Sequence, residues 1–125
     1  MANILIADDD PDFLQVFQRG LTAMGHHVHC VSGGKSVHRL IEANPGQFDI
    51  VFLDFVMPGG GGVSTLHKLR SVDGNIPVVF ITGHVDALDS PLFTMGLGMT
   101  QARVSKTTPL ADLDRLVRRL TVTGP

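Results

Sequence analysis

The stretch FDIVFLDFVMPGGGGVSTLHKL, residues 48–69, decides the fold. Phe48 to Leu53 is the most hydrophobic of the strand candidates, and Ile50, Val51, Phe52 and Leu53 follow one another without the polar alternation of a half-solvated strand. A run of that kind is buried on both faces, as a central strand of a parallel sheet is. Asp54 ends it, and the glycines from Gly59 to Gly62 loop the chain onward. Val63, Leu66 and Leu69 then recur at a spacing of three, the mark of a helix with one apolar face.

The same strand-then-helix pattern recurs on both sides. Ile4 to Ala7 is an apolar strand followed by Asp10 as N-cap and Pro11 at the first helical position; Phe13, Val16, Phe17, Leu21 and Met24 form a stripe that Gly25 ends. His27 to Val31 is a second strand, after which Gly33-Gly34 turns into a helix carrying Val37, Leu40 and Ile41, stopped by Asn44-Pro45-Gly46. Ile76 to Thr82 makes a fourth strand, with Pro77 tolerated near its start, and Ala102 to Ser105 a fifth. Pro109 opens a last helix with Leu110, Leu113, Leu116, Val117 and Leu120 facing inward. Between the last two strands, Asp86 to Gly98 is expected to hold a late, short helix, because Pro91 bars a helix interior and Ser90 can cap a shorter one. Five such alternations specify an α/β chain, a (βα)5 parallel sheet with crossover helices.

Composition narrows the classes that remain. At 125 residues and 43% hydrophobic, the chain is one domain with enough apolar mass for a core. We expect that domain over residues 1–121, with 122–125 as a tail or truncated linker. A single cysteine, Cys30, makes no internal disulfide and fits a small core residue in a reducing, cytoplasmic setting. Ten Lys and Arg against twelve Asp and Glu provide no basic field for nucleic acid. The start MANILIADDD has no basic leader region, and no run approaches the ~20 apolar residues of a membrane span.

In an open parallel sheet, ligands bind just beyond the carboxyl ends of the strands. Those ends carry Asp8 and Asp9, Asp54, Thr82 and Lys106. Three carboxylates gathered in one crevice repel, so such a cluster persists mainly when a divalent cation neutralises it, and Mg²⁺, with its oxygen ligands and retained waters, fits best. A carboxylate beside Mg²⁺ can attack phosphorus and become an aspartyl phosphate. The Lys106 ammonium can balance the added charge, and the Thr82 hydroxyl can donate to a phosphoryl oxygen. No base and nucleophile pair of the Ser-His kind accompanies them, and the glycines do not spell a phosphate-binding Walker loop.

Over essentially its whole length the chain resembles a response-regulator receiver domain, the phosphoacceptor module of two-component signalling. ILIADDDP carries the acidic pair, VFLDFVMPGGGG the acceptor with Met57-Pro58 and Gly62, ITGH the hydroxyl and VSKT the lysine. The resemblance implies a flavodoxin-like, doubly wound sheet of strand order 2-1-3-4-5 with helices on both faces. It implies Asp54 as the phosphorylated nucleophile, Asp9 as a direct Mg²⁺ ligand, Asp8 as one reached through water, and the Val56 carbonyl as the remaining protein ligand. It implies a phosphohistidine donor on a histidine kinase or phosphotransfer protein, a downstream effector or fused output domain, and a second copy of the chain as a candidate partner. Catalysis would extend only to the domain's own phosphorylation and dephosphorylation. Phosphorylation would then alter the surface around the fourth and fifth helices and the fifth strand; the alternative is a degenerate receiver that docks partners regardless of phosphorylation.

Two departures from the family's pattern stand out. Thr107 follows Lys106 where the family usually has Pro, and Arg103 stands where it commonly has a switching Tyr or Phe, which leaves any activation signal to Thr82 and the following backbone. Outside the motifs, His26, His27 and His29 read as a solvated or edge cluster, since no acid or cysteine accompanies them at ligand spacing, and Arg115, Arg118 and Arg119 as a solvated helix face. Val56 and His84, each two residues past a site residue, occupy positions that tune phosphoryl lifetime in the family. An apolar Val56 positions no water, so Val56→Asn is expected to speed the decay of the aspartyl phosphate. A decay no faster than the parent's would remove that role from Val56.

Overall fold

The computed structural model describes residues 1–55, 61–83, 100 and 102–121. Five parallel strands, β1 (Asn3–Ala7), β2 (His27–Val31), β3 (Ile50–Asp54), β4 (Val78–Thr82) and β5 (Ala102–Ser105), pair in the order β2-β1-β3-β4-β5. This is the doubly wound arrangement the sequence implied, with the order reversing next to β1. Helices α1 (Pro11–Ala23), α2 (Val37–Ala43), α3 (Gly62–Val72) and a C-terminal helix (Leu110–Leu120) account for the other regular elements described, with a short 3-10 turn at Gly34–Ser36. The helix expected over Asp86 to Gly98 lies outside the described residues.

Alternation along the strands divides the core into two layers. Leu5, Ala7, Val51, Leu53, Val78 and Phe80 pack with Val37 and Ile41 of α2 and Leu66 and Leu69 of α3. Ile4, Ile6, Ile50, Phe52, Val79 and Ile81 face the other way, against Phe17 and Leu21 of α1 and Leu113 and Val117 of the C-terminal helix. All five residues of β3 and of β4 are buried, which is why their sequences are apolar without interruption, whereas edge strand β2 keeps His27 and His29 exposed.

Local signals set the element ends. Asp10 caps α1 by accepting from the Asp12 and Phe13 N–H groups at 3.1 and 3.3 Å. Gly25 takes φ of +99° after that helix, and Gly46 takes +75° after α2, both in the left-handed region that glycine enters at little cost. Strand β3 begins at Ile50 rather than Phe48, and β4 at Val78 rather than Ile76, because Pro77 has no N–H to give the ladder. Gly20, in the middle of α1, is a packing residue: a Cβ there would collide with Cδ1 of Leu110, whose side chain fills the space.

His26 departs from the solvated reading. It is buried, its Nδ1 accepts the Ala2 N–H at 3.0 Å, and its Nε2 therefore donates to Asp114 Oδ1 at 2.7 Å, tying the start of β1 to the C-terminal helix. Sequence spacing gave no sign of this, since Asp114 is 88 residues away. The hydrogen bond from His26 holds the Asp114 carboxyl below its ordinary value; partial burial opposes it and Arg118, at 2.9 Å, reinforces it. A depressed folded value means a contribution present above about pH 4 and lost as pH falls through that value. Asp114→Asn is accordingly expected to lower stability at pH 7, with the difference from the parent shrinking as pH falls below about 4, as read by urea unfolding across that range.

Candidate functional site

Strand register brings the sequence candidates to one rim. Ala7 lies opposite Leu53, so Asp8 and Asp54, each one residue further, emerge side by side. Asp54 lies opposite Ile81, and Thr82 opposite Ser105, so Lys106 follows at the same edge and donates its N–H to the Thr82 carbonyl at 2.8 Å. Asp8 continues the alternation of Ile4 and Ile6, Asp54 that of Ile50 and Phe52, and Lys106 that of Ala102 and Val104, all of which face the α1 layer. Thr82 shares the parity of Val78 and Phe80, which belong to the opposite layer, and it is fully buried.

One oxygen each from Asp8, Asp9 and Asp54 lies within 4.8 Å of the others. Asp8 and Asp54 are buried at 0% and 3% exposure, while Asp9 is exposed. Lys106 Nζ lies 3.0 and 2.8 Å from the two oxygens of Asp8 and 3.4 Å from Asp54 Oδ2. Burial alone would push the Lys106 ammonium down, but the paired carboxylates outweigh it and hold its pKa above the ordinary lysine value. Asp8 Oδ1 also accepts the Asp10 N–H at 2.9 Å, which joins the acidic pair to the cap of α1. Asp8 Oδ2, by contrast, is buried and accepts no hydrogen bond, the Lys106 contact being an ion pair without hydrogen-bond alignment. Three clustered acids, one of them with a buried oxygen held only by an ion pair, fit a hard divalent cation. Three carboxylates less one ammonium leave two negative charges, which such a cation cancels.

The neighbouring loops are shaped by features the sequence disguised. After Lys106 the peptide bond is trans, and Ser105 shapes the turn where a proline was absent: its Oγ accepts the Thr107 N–H at 3.1 Å and meets Thr107 Oγ1 at 2.7 Å. Its carbonyl accepts the Thr108 N–H at 3.0 Å. Gly83 stands beside the lysine stem, where a Cβ would reach Lys106 Cδ at 3.5 Å, an ordinary contact. Phe13, read from sequence only as a core residue of α1, places its ring 5.0 Å from Lys106 Nζ. Arg103 is exposed in the middle of β5. The expected contributions of Val56, His84 and Met57-Pro58 fall outside the described residues.

The family model described as response regulator receiver domain matches residues 4–118. The chain is 33% identical over 86 residues to the uncharacterised transcriptional regulatory protein YrkP of Bacillus subtilis, a match covering 69% of this chain and 36% of that protein. It thus spans about a third of that relative's length. A crystal structure of a response regulator receiver domain protein from Clostridium thermocellum superposes with a TM-score of 0.85 at 25% identity, covering 97% of this chain and 94% of that one. The receiver domain of a Pseudomonas aeruginosa sensor histidine kinase, with magnesium coordinated in its active-site cleft, shares the fold at a TM-score of 0.83 and 22% identity, covering 96% and 97% of the two chains.

The tightest backbone approach beside the site is at Gly62. Its N–H donates to the Phe55 carbonyl at 2.9 Å, and a Cβ would lie 2.9 Å from Phe55 Cα, 3.0 Å from the Asp54 carbonyl and 3.0 Å from the Phe80 ring. Two of those neighbours are backbone and cannot swing away. Gly62→Ala is expected to destabilise by about 1–3 kcal/mol in urea unfolding, the cost of overpacking. A loss below about 0.5 kcal/mol would show that the loop yields.

Proposed function

The chain belongs to the response-regulator receiver family, and from that premise we propose that it is a phosphoacceptor switch that takes a phosphoryl group onto Asp54 from a phosphohistidine donor. The observation that carries this reading is the meeting of Asp8, Asp9, Asp54 and Lys106 at one strand-end rim, where the excess negative charge suits a dication and the ammonium suits an incoming anion. Asp8 through water, Asp9 and Asp54 directly, and the Val56 carbonyl would hold Mg²⁺, which when bound supplies charge neutralisation and orients the incoming phosphoryl oxygens.

The transfer follows from what these residues can do. An Asp54 carboxylate oxygen attacks phosphorus, the new P–O bond forms as the P–N bond to the donor imidazole breaks, and the imidazole nitrogen leaves with the electron pair and is protonated by solvent. Lys106, already above its ordinary pKa, stays cationic and stabilises the oxygens on which charge gathers. The Thr82 hydroxyl donates to a phosphoryl oxygen once the chain after it rearranges, which couples phosphorylation to the surface beside β5. To act as a strong switch, the phosphoryl group must favour one conformation by about 5 kcal/mol. The output passes to an effector, separate or fused; the Bacillus relative is named a transcriptional regulatory protein and is nearly three times as long as the matched portion. The intact set of acids and lysine counts against the docking-only alternative, as does the family's place in phosphorelay signalling. Among the described residues no helix is long and apolar enough to cross a membrane, and we place the chain's work in the cytoplasm.

The parent protein is expected to take label from acetyl phosphate only when Mg²⁺ is present, and Asp54→Asn to lose that labelling entirely while folding as before. Label retained by Asp54→Asn, or taken up equally in EDTA, would contradict the assignment.

A further inference from the structure

Lys106 has two kinds of partner at the rim. One kind is anionic: both oxygens of Asp8 and Oδ2 of Asp54. The other is uncharged: the face of Phe13, 5.0 Å from Nζ to the ring centroid and well inside the ~6 Å over which a cation is drawn to an aromatic quadrupole. The lysine side chain is 17% exposed, so this attraction acts in a partly dry setting, where it is stronger than at an open surface.

The ring is placed by its surroundings rather than by Lys106. Asp10, the cap of α1, fixes the Phe13 N–H at 3.3 Å, and the same Asp10 donates its own N–H to Asp8 Oδ1 at 2.9 Å. Behind it, Phe13 leans on Phe17 with centroids 6.0 Å apart, and Phe17 meets Phe52 edge-on at 5.1 Å. Phe52 is two residues before Asp54 on β3, so the aromatic row spans the layer from α1 to the strand that bears the acceptor. On its outer side Phe13 lines a groove of about 460 Å³ with Asp12, Val16, Lys106 and Leu110.

The two kinds of partner respond differently to the proposed reaction. With Asp9 and Asp54 holding a dication directly, Asp8 holding it through water, and one oxygen of Asp54 esterified, the carboxylates that now hold Lys106 would be shared with competing partners. The quadrupole of a phenyl ring is unchanged by these events. A lysine released from both would lose its ordering, because the rotamer freedom of its flexible stem favours solvent. We propose that Phe13 is a positioning residue: its ring keeps the Lys106 ammonium at the rim, where the phosphoryl oxygen arrives, after the carboxylates have been engaged. The inference rests on the phosphoacceptor reading and deepens it by naming a residue of α1 that this reading does not contain.

Beryllofluoride, which stands in for a phosphoryl group on the acceptor carboxylate, tests it in the full chain. Its affinity is measured at saturating Mg²⁺ for the parent, Phe13→Leu and Phe13→Tyr, beside the affinity of each for Mg²⁺ alone. Phe13→Leu keeps an apolar side chain but no π face, and is expected to weaken beryllofluoride binding by about 2- to 30-fold, the span of one partly desolvated cation–π contact. Phe13→Tyr is expected to stay within about twofold of the parent, and Mg²⁺ affinity to stay within about twofold in both, since the ring touches no carboxylate-bound ion. If Phe13→Leu fails to fold, Phe13→Met serves as the ringless variant. Unchanged beryllofluoride affinity in the ringless variant, an equal loss in Phe13→Tyr, or a parallel loss of Mg²⁺ affinity would each overturn the positioning role while leaving the phosphoacceptor reading intact. A parent that shows no Mg²⁺-dependent response would instead bring down the phosphoacceptor reading and this inference together.

Discussion

A carboxylate stripped of water must find positive charge nearby, and at the carboxyl end of this sheet two of them, Asp8 and Asp54, are almost wholly buried. Lys106 answers part of that demand from 2.8 to 3.4 Å away. Removing one partner from a buried pair of this kind typically costs about 3–5 kcal/mol, because the remaining charge is left without compensation. With Asp9 close by, the rim keeps more negative charge than one lysine can cancel. An excess of this sort is poor design for stability alone. Under the phosphoacceptor reading proposed above, the excess belongs to a site that would take a dication and an anion, a local conflict of the kind expected at functional sites.

The sheet is what makes the arrangement affordable. Two layers of apolar side chains, one on each face, fix every strand of the sheet in register, and one step of slip would turn the acids into the opposite layer. The acidic pair is also fastened locally, through the Asp10 cap that links Asp8 to the first turn of α1. The charged rim therefore rests on rigid elements: a helix start on one side, the ends of β1, β3 and β5 on the other. The side chains around the lysine are set by this sequence's own residues. Ser105 and Thr107 use their hydroxyls to shape the turn after the lysine, and Phe13 supplies a neutral surface against which the ammonium rests.

Much of the fold was legible in the residues. Uninterrupted apolar runs marked β3 and β4 because both faces of those strands are covered; Asp10 with Pro11, and Gly25, marked the ends of α1 through capping and a left-handed turn. The candidate site was legible for a related reason: a strand that ends abruptly in an acid, a threonine or a lysine puts that residue at the sheet's carboxyl edge, and there were only a few such ends to compare. The misses have a common origin in long-range contact. His26 looked like one of three solvated histidines, yet its two nitrogens are satisfied by Ala2 and Asp114, from opposite ends of the chain. Phe13 looked like any core residue of an amphipathic helix, and no periodicity distinguishes a ring that faces leucine from one that faces an ammonium.

By itself, then, the order of residues determined the alternation of strands and helices, the sign and kind of the groups at the strand ends, and with them the family. Those depend on spacing along the chain and on side-chain chemistry, both of which are printed in the sequence. Only the tertiary structure decided which oxygens of Asp8 and Asp54 meet Lys106, that Asp8 keeps one oxygen without a hydrogen bond, and that an aromatic face stands beside the ammonium. These are distances between residues 50 to 100 positions apart, set when two packed layers lock five strands in register, and no local rule contains them.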